Sequence, residues 1–150
     1  MSTQQACTAC RIICKEIPAY VMAEDAHIIV FLSLDNHPLV APKTHIPDIF
    51  ALDEATGARI MRAAIRVASA VKAGLHCEGV YLTQANGAAA GQDLFHFHLH
   101  LYPRWLDDKL TAYWHTAQAD HEVRRLTAER IRTHLVPGAG GMPPQSTSGR

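Results

Sequence analysis

The run Leu94–Leu101 constrains the fold of this chain more than any other segment. Its residues, Leu-Phe-His-Phe-His-Leu-His-Leu, alternate with a period of two over the whole length. Successive side chains of a strand point to opposite faces, whereas a helix would spread this pattern around its axis. We therefore predict a strand with one face of histidines, His96, His98 and His100, and one apolar face that is buried, Phe95, Phe97, Leu99 and Leu101.

Three imidazoles on one strand face leave two chemistries open. They could chelate a catalytic metal whose open position activates water, or one neutral imidazole could act as a nucleophile while its neighbours fix its tautomer. The segment 86–92, Asn-Gly-Ala-Ala-Ala-Gly-Gln, directly precedes the strand. Its small residues and backbone N–H groups would let a phosphate approach the chain, which favours the nucleophile.

The rest of the pattern predicts an α+β domain, an antiparallel β-sheet with a long helix packed on it and a second helix near the C-terminus. Apolar residues that recur at three and four, with Asp53 as N-cap and Gly74 as the stop, indicate the long helix. The other predicted elements are a hairpin of residues 17–22 and 27–32, short strands at 38–41 and 80–83, and a helix at 121–136.

Composition excludes several classes of protein. A chain of 150 residues with 48% hydrophobic residues suits one domain, which we place at residues 1–136. Residues 137–150 are rich in Gly, Pro and Ser, which predicts a disordered tail. Fourteen basic against fourteen acidic residues give no net field, so we expect no nucleic-acid partner. The absence of a long apolar stretch or an apolar leader predicts no membrane association and a cytoplasmic location.

Cys7 and Cys10 form a C-x-x-C motif. In a reducing compartment such a pair more often binds metal than forms a disulfide. A redox pair and two unbound thiols remain as alternatives.

Several motifs together resemble the histidine triad (HIT) family of nucleotide hydrolases and transferases. The strongest is His96-Phe-His-Leu-His-Leu-Tyr-Pro-Arg104, preceded by Ala90-Gly-Gln92. Leu39-Val-Ala-Pro-Lys43-Thr-His45, Glu24-Asp25 and Cys7-Thr-Ala-Cys10 occur in the family's order, so the resemblance spans about residues 7–105. It implies the HIT-like fold, a homodimer and a purine nucleotide substrate.

The resemblance also implies the activity and the site residues. The family's middle histidine, here His98, attacks the α-phosphate of a nucleoside phosphoramidate or dinucleoside polyphosphate and forms a nucleotidyl-histidine that water hydrolyses. His100 would bind phosphoryl oxygens, His37 would support the nucleophile, and Gln92 would lie near the phosphate or leaving group. No catalytic cofactor is expected. Zinc-bearing relatives imply a structural Zn²⁺ held by Cys7, Cys10, His45 and His96.

The sequence departs from the family pattern around the expected substrate. The turn before His37 is shorter, so Ser33 stands where relatives carry an acid that contacts ribose, and Asp35 could replace that acid. Asn86, Gly91, Gln92 and Asp93 are the other expected substrate-binding residues. Asp93 replaces a Ser or Thr, and we expect its carboxylate to point away from the phosphate.

Two other functions remain open at this point. One is a nucleotide-binding regulatory module without catalysis. The other is a metal-dependent hydrolase with His96, His98 and His100 as ligands.

Overall fold

The structure is a computed structural model that describes residues 7–109 and 120–134, in two units divided after Lys109. In the first unit the helices are α1 (Thr8–Ile13) and α2 (Glu54–Leu75), and the strands are β1 (Val21–Glu24), β2 (Ile28–Leu32), β3 (Pro38–Pro42), β4 (Gly79–Thr83) and β5 (Leu99–Arg104). The second unit contributes α3 (His121–His134). The tail predicted at 137–150 lies outside the described residues, and the domain boundary at 136 stays a prediction.

The five strands form one antiparallel sheet in the order β1-β2-β3-β5-β4. The predicted α+β class is confirmed. β3 and β5 are neighbours in the sheet although α2 and β4 separate them in the chain, and Leu39 pairs with His100. This pairing brings the segment that begins at His37 beside the histidine strand.

Helix α2 forms where the sequence predicts it. The Asp53 carboxylate accepts a hydrogen bond from the Thr56 backbone N–H at 2.9 Å, which satisfies one of the free donors of the first turn. Ile60, Ala63 and Ala64 are buried against the sheet. The residue that stops the helix is His76, which adopts the left-handed conformation with φ 53°, two residues after the predicted stop at Gly74, so α2 continues to Leu75.

The predicted strand at 94–101 is wrong in its first half. β5 begins at Leu99 and continues to Arg104. The His96 backbone N–H donates to the Leu94 carbonyl at 2.9 Å, and the Phe97 N–H donates to Ile46 in the loop after β3 at 2.6 Å. Because these donors are used locally or by a loop, Leu94 to His98 has no neighbouring strand.

The predicted apolar face of this segment is correct in part. Phe97 and Leu101 are buried in the core between the sheet and α2, and Leu99 packs against that core. Burial of Phe97 and of Leu101 contributes roughly 1.5–3 kcal/mol each. Phe95 is 49% exposed, so it does not belong to that face.

Helix α3 lies within the predicted range of 121–136. Arg125 bridges Glu122 and Glu129 along one side of it. No helix in the two described ranges is long and apolar enough to cross a membrane.

Candidate functional site

The predicted site residues fall into three neighbouring groups. A Cys/His cluster contains Cys7, Cys10, His45 and His96. An imidazole group contains His37, His98 and His100, with Ser33 bonded to it. A braced loop covers residues 86–92.

The Cys/His cluster gathers four donor atoms that lie within 4.8 Å of one another. The Sγ of Cys7 is 3.5 Å from His96 Nδ1, and the Sγ of Cys10 is 3.3 Å from His45 Nδ1 and 3.6 Å from His96 Nδ1. Zn–S and Zn–N bonds of tetrahedral sites, about 2.3 and 2.1 Å, place neighbouring S and N atoms about 3.6 Å apart. These four residues could therefore hold a metal ion.

Two further features of the cluster suit a cation. The Nε2 of His96 donates to the Pro42 carbonyl at 2.8 Å, which leaves the Nδ1 lone pair free for an ion. Burial, followed by the hydrogen bond to Cys7, raises the pKa of Cys10 to about 11. Two thiols this close would lose their protons readily only beside a positive charge.

His98 has one ring nitrogen fixed by the backbone. Its Nδ1 lies 2.6 Å from the carbonyl oxygen of His96. A carbonyl only accepts hydrogen bonds, so Nδ1 carries the proton and Nε2 of the neutral ring keeps its lone pair. Residue 96 thus supplies a side chain to the Cys/His cluster and a carbonyl to His98.

His37 and His100 share a hydrogen bond of 2.8 Å between His37 Nε2 and His100 Nδ1. The other nitrogen of His37, Nδ1, lies 2.9 Å from the Ser33 hydroxyl. The ring of His98 lies next to that of His100, with centroids 4.7 Å apart. The structure therefore places the predicted nucleophile, the predicted phosphate ligand and the upstream histidine in one continuous group.

Tyr102 is a residue of this group that the sequence analysis missed. Its ring stacks on His37 with centroids 3.8 Å apart and lies parallel to the ring of His100. The missed signal is the period of two, which continues from His98, just before β5, to His100 and Tyr102 on one face of that strand.

Burial favours the neutral form of three of these imidazoles. Burial lowers the pKa of His37 and of His96. Burial, followed by the nearby His98 and His37, lowers the pKa of His100 to about 4. Neutral rings can act as lone-pair donors and as N–H donors, so the group suits nucleophilic chemistry on an anionic substrate.

The loop of residues 86–92 is held by its own polar groups. The Gln92 amide accepts from the Gly87 N–H at 2.7 Å and donates to the Pro47 and Leu94 carbonyls at 2.6 and 3.1 Å. Asn86 accepts from the Ile49 N–H at 2.7 Å and donates to Gln84. Both side chains brace the loop, and their predicted substrate contacts stay predictions.

The backbone donors expected for a phosphate are partly used within this loop. The N–H groups of Ala90, Gly91 and Gln92 all donate to loop carbonyls. Gly91 has φ 83°, a left-handed conformation that favours glycine. An anion here would therefore depend on imidazole N–H groups more than on these three amides.

The two acidic residues expected near the substrate are both exposed. Asp35 lies in the turn before His37, and its charge is close enough to favour the protonated form of His100. Asp93 accepts a hydrogen bond from the Leu94 N–H at 2.7 Å, and its charge acts on His100 in the same direction. Whether Asp93 points away from a bound phosphate stays a prediction.

The metal-dependent alternative finds no support in this geometry. His96 belongs with the two cysteines, and His100 Nδ1 is bonded to His37. Within residues 7–109 and 120–134, His96, His98 and His100 do not form a group that could share an ion.

An antiparallel sheet backed by one long helix, with a group of imidazoles beside a Cys/His cluster, places the chain among small α+β proteins with a histidine-rich site. The comparisons with known proteins identify the family within that class. Residues 14–105 match the HIT domain, and the chain belongs to the HIT domain family. The resemblance inferred from the motifs is thereby confirmed.

Two curated relatives illustrate the range of this family. Protein hit of Bacillus subtilis is 32% identical over 131 residues, which are 84% of this chain and 90% of that protein. Adenylylsulfatase HINT3 of Arabidopsis thaliana is 29% identical over 142 residues, which are 88% of this chain and 71% of that protein. The family thus includes a hydrolase.

Two solved structures share the fold over almost the whole chain. A HIT family protein from Bacillus anthracis is 36% identical with a TM-score of 0.80, covering 87% of this chain and 97% of that one. A Zn-bound histidine triad family protein from Mycobacterium smegmatis is 30% identical with a TM-score of 0.68, covering 88% and 99%.

Proposed function

We propose that this protein is a hydrolase that acts on the phosphorus centre of a nucleoside phosphoramidate or dinucleoside polyphosphate through a nucleotidyl intermediate on His98. One observation carries the proposal. The His96 carbonyl holds the proton of His98 on Nδ1, 2.6 Å away, and leaves Nε2 as the nucleophile. A nucleotide with a purine base is the expected substrate.

In the first step, the Nε2 lone pair of His98 forms a bond to the α-phosphorus. The bond from phosphorus to the leaving nitrogen or oxygen breaks, and the leaving group departs with its electron pair and takes up a proton from solvent. His98 becomes positively charged as the P–N bond forms, and the Nδ1–H···O=C hydrogen bond to His96 strengthens with that charge. An N–H of the adjacent His100 would stabilise the phosphoryl oxygens.

In the second step, water attacks the same phosphorus and the bond to His98 Nε2 breaks. The products are a nucleoside monophosphate, the neutral imidazole with its original tautomer, and a proton released to solvent that balances the one the leaving group took up. Splitting one displacement into two lets a neutral base replace an activated water molecule in the first step. The braced loop of residues 86–92 keeps its backbone in place during both steps because Gln92 ties it to Pro47 and Leu94.

The metal proposed for the Cys/His cluster is Zn²⁺ in a structural role. Two thiolates and two imidazoles make a closed tetrahedral set, with no open position for water. When bound, the ion would supply a cross-link between α1 and the segment before β5. Support comes from the donor distances and from the Zn-bound relative of M. smegmatis.

The covalent intermediate gives the sharpest test of the activity. We expect an adenosine phosphoramidate, mixed with the protein and quenched within one turnover at alkaline pH, to leave an adenylyl group on the protein in the intact mass. Peptide mapping should place the group on His98. Adenosine compounds that bind without any adduct or turnover would instead support the nucleotide-binding regulatory module.

We also propose a homodimer, in keeping with the family resemblance. β4 is an edge strand of the sheet with one side unpaired within the described unit. Met61 and Ile65 on α2 are 50% and 61% exposed, and such apolar positions often mark an interface. Light scattering should give twice the chain mass, and a mass of 16.5 kDa would contradict the proposal.

A further inference from the structure

The short turn between β2 and β3 holds Ser33 against the ring of His37. The Ser33 N–H donates to the His37 carbonyl at 2.9 Å, and the Asn36 N–H donates to the Ser33 carbonyl at 3.2 Å. Asn36 closes the turn with φ 61°, a conformation that Asn tolerates. With only three residues between them, Ser33 and His37 face each other, and the hydroxyl is 2.9 Å from His37 Nδ1.

The hydrogen bonds around the Ser33 hydroxyl indicate which way its proton points. Its oxygen accepts the backbone N–H of His37 at 3.3 Å. A hydroxyl has one proton to donate, and His37 Nδ1 is the acceptor within reach. If Ser33 donates to Nδ1, the proton of the neutral His37 ring lies on Nε2.

The tautomer of His37 determines the tautomer of His100, because the two rings share a hydrogen bond. A proton on His37 Nε2 donates to His100 Nδ1 at 2.8 Å. The neutral His100 ring must then carry its own proton on Nε2, the nitrogen that faces away from His37. An N–H at that nitrogen is a donor for a phosphoryl oxygen, whereas a lone pair there would repel it.

The backbone near His37 offers a competing acceptor. The backbone of Asp35 favours the charged form of His37 and so opposes the lowering of its pKa by burial, which makes the Asp35 carbonyl a candidate acceptor for a ring N–H. Nε2 is engaged by His100, so this carbonyl competes with Ser33 for Nδ1. Without the hydroxyl, Nδ1 would take the proton and donate it to Asp35, and the tautomers of both histidines would reverse.

We propose that Ser33 is a positioning residue that sets the tautomer of His100 through His37. The inference rests on the proposed function for its catalytic consequence, since His100 is there the donor to the phosphoryl oxygens.

The test combines kinetics with nitrogen NMR of the histidine rings. For Ser33→Ala we expect kcat on an adenosine phosphoramidate to fall by about 10²-fold, the cost of losing one donor to an oxyanion, while KM changes less than about threefold. The ¹⁵N shifts at pH 7 should show the His100 proton on Nε2 in the wild type and on Nδ1 in the variant. Ser33→Thr keeps a hydroxyl and should restore both kcat and the tautomer.

The matched control is Ser69→Ala on α2, which removes a hydroxyl that donates to the Ile65 carbonyl at 3.0 Å and touches none of the histidines. It should leave kcat and both tautomers unchanged. A fall in kcat for Ser33→Ala without a tautomer change would show a purely structural role and overturn the proposal.

The NMR result separates this proposal from the proposed function. If the wild type did not turn over any phosphoramidate, the proposed function would fail. The tautomers of the free protein would still test whether Ser33 sets the tautomer of His100. If Ser33→Ala did not fold, the wild-type spectrum alone would test the role of Ser33. A proton on His100 Nδ1 in the wild type would contradict that role.

Discussion

Replacing His98 by alanine should lower kcat by about 10⁴-fold, the largest effect expected of any single substitution. The reaction then has no neutral imidazole next to the phosphorus, and water must attack directly. KM should change far less, because the neighbouring rings of His37 and His100 keep their hydrogen bond to each other. Steady-state turnover of an adenosine phosphoramidate measures both values.

The fold should survive this substitution. His98 is a half-buried side chain whose single hydrogen bond is to a backbone carbonyl, so its removal leaves no buried charge. The control is His27→Ala, because His27 is exposed in the turn between β1 and β2. A His98→Ala protein with kcat within threefold of the wild type would refute the covalent mechanism.

The second large effect concerns the Cys/His cluster. In the Cys7→Ser, Cys10→Ser double variant we expect elemental analysis to find almost no zinc, against about one ion per chain in the wild type. The melting temperature should fall by on the order of 10 °C, because structural zinc adds several kcal/mol to folding and each kcal/mol is worth about 2–4 °C at this size. The cause is the loss of two of four ligands and of the link from α1 to His96.

Cys14→Ser is the matched control for this prediction. Cys14 lies just after α1, is exposed and is not among the four clustered residues. It should keep both the ion and the melting temperature of the wild type. A double variant that retained its zinc would show that other residues hold the metal, and would revive the chelate of His96, His98 and His100.

Local patterns were enough to predict most of the fold. The 3.6-residue period and the Asp53 cap predicted α2, and β-rich runs between turn residues predicted β2 and β3. The run predicted at 17–22 was placed too early, because β1 begins at Val21 and continues to Glu24. The alternation of apolar residues and histidines wrongly predicted a paired strand at residues 94–98, because such a pattern indicates only an extended backbone. Whether an extended segment joins a sheet depends on its hydrogen-bond partners, and Phe97 found its partner in the loop at Ile46.

The sequence indicated which residues form the candidate site better than it indicated the contacts between them. The motifs indicated which histidines and cysteines would gather, since their order along the chain is visible in the sequence. The use of Gln92 as a brace was not visible, because it depends on the Pro47 carbonyl, 45 residues away in the chain. The Ser33 contact to His37 likewise depends on the left-handed Asn36, which no periodicity reports.

Residue 96 contributes a side chain to the Cys/His cluster and a backbone carbonyl to His98, so the proposed chemistry would be separable from the proposed metal. Every amino acid has a backbone carbonyl, so the hydrogen bond that fixes the tautomer of His98 does not require an imidazole at position 96. A descendant of this chain could lose all four ligands by drift, replace them with apolar packing, and still present the same nucleophile. Thermal robustness and chemistry would then evolve as independent traits within one short segment.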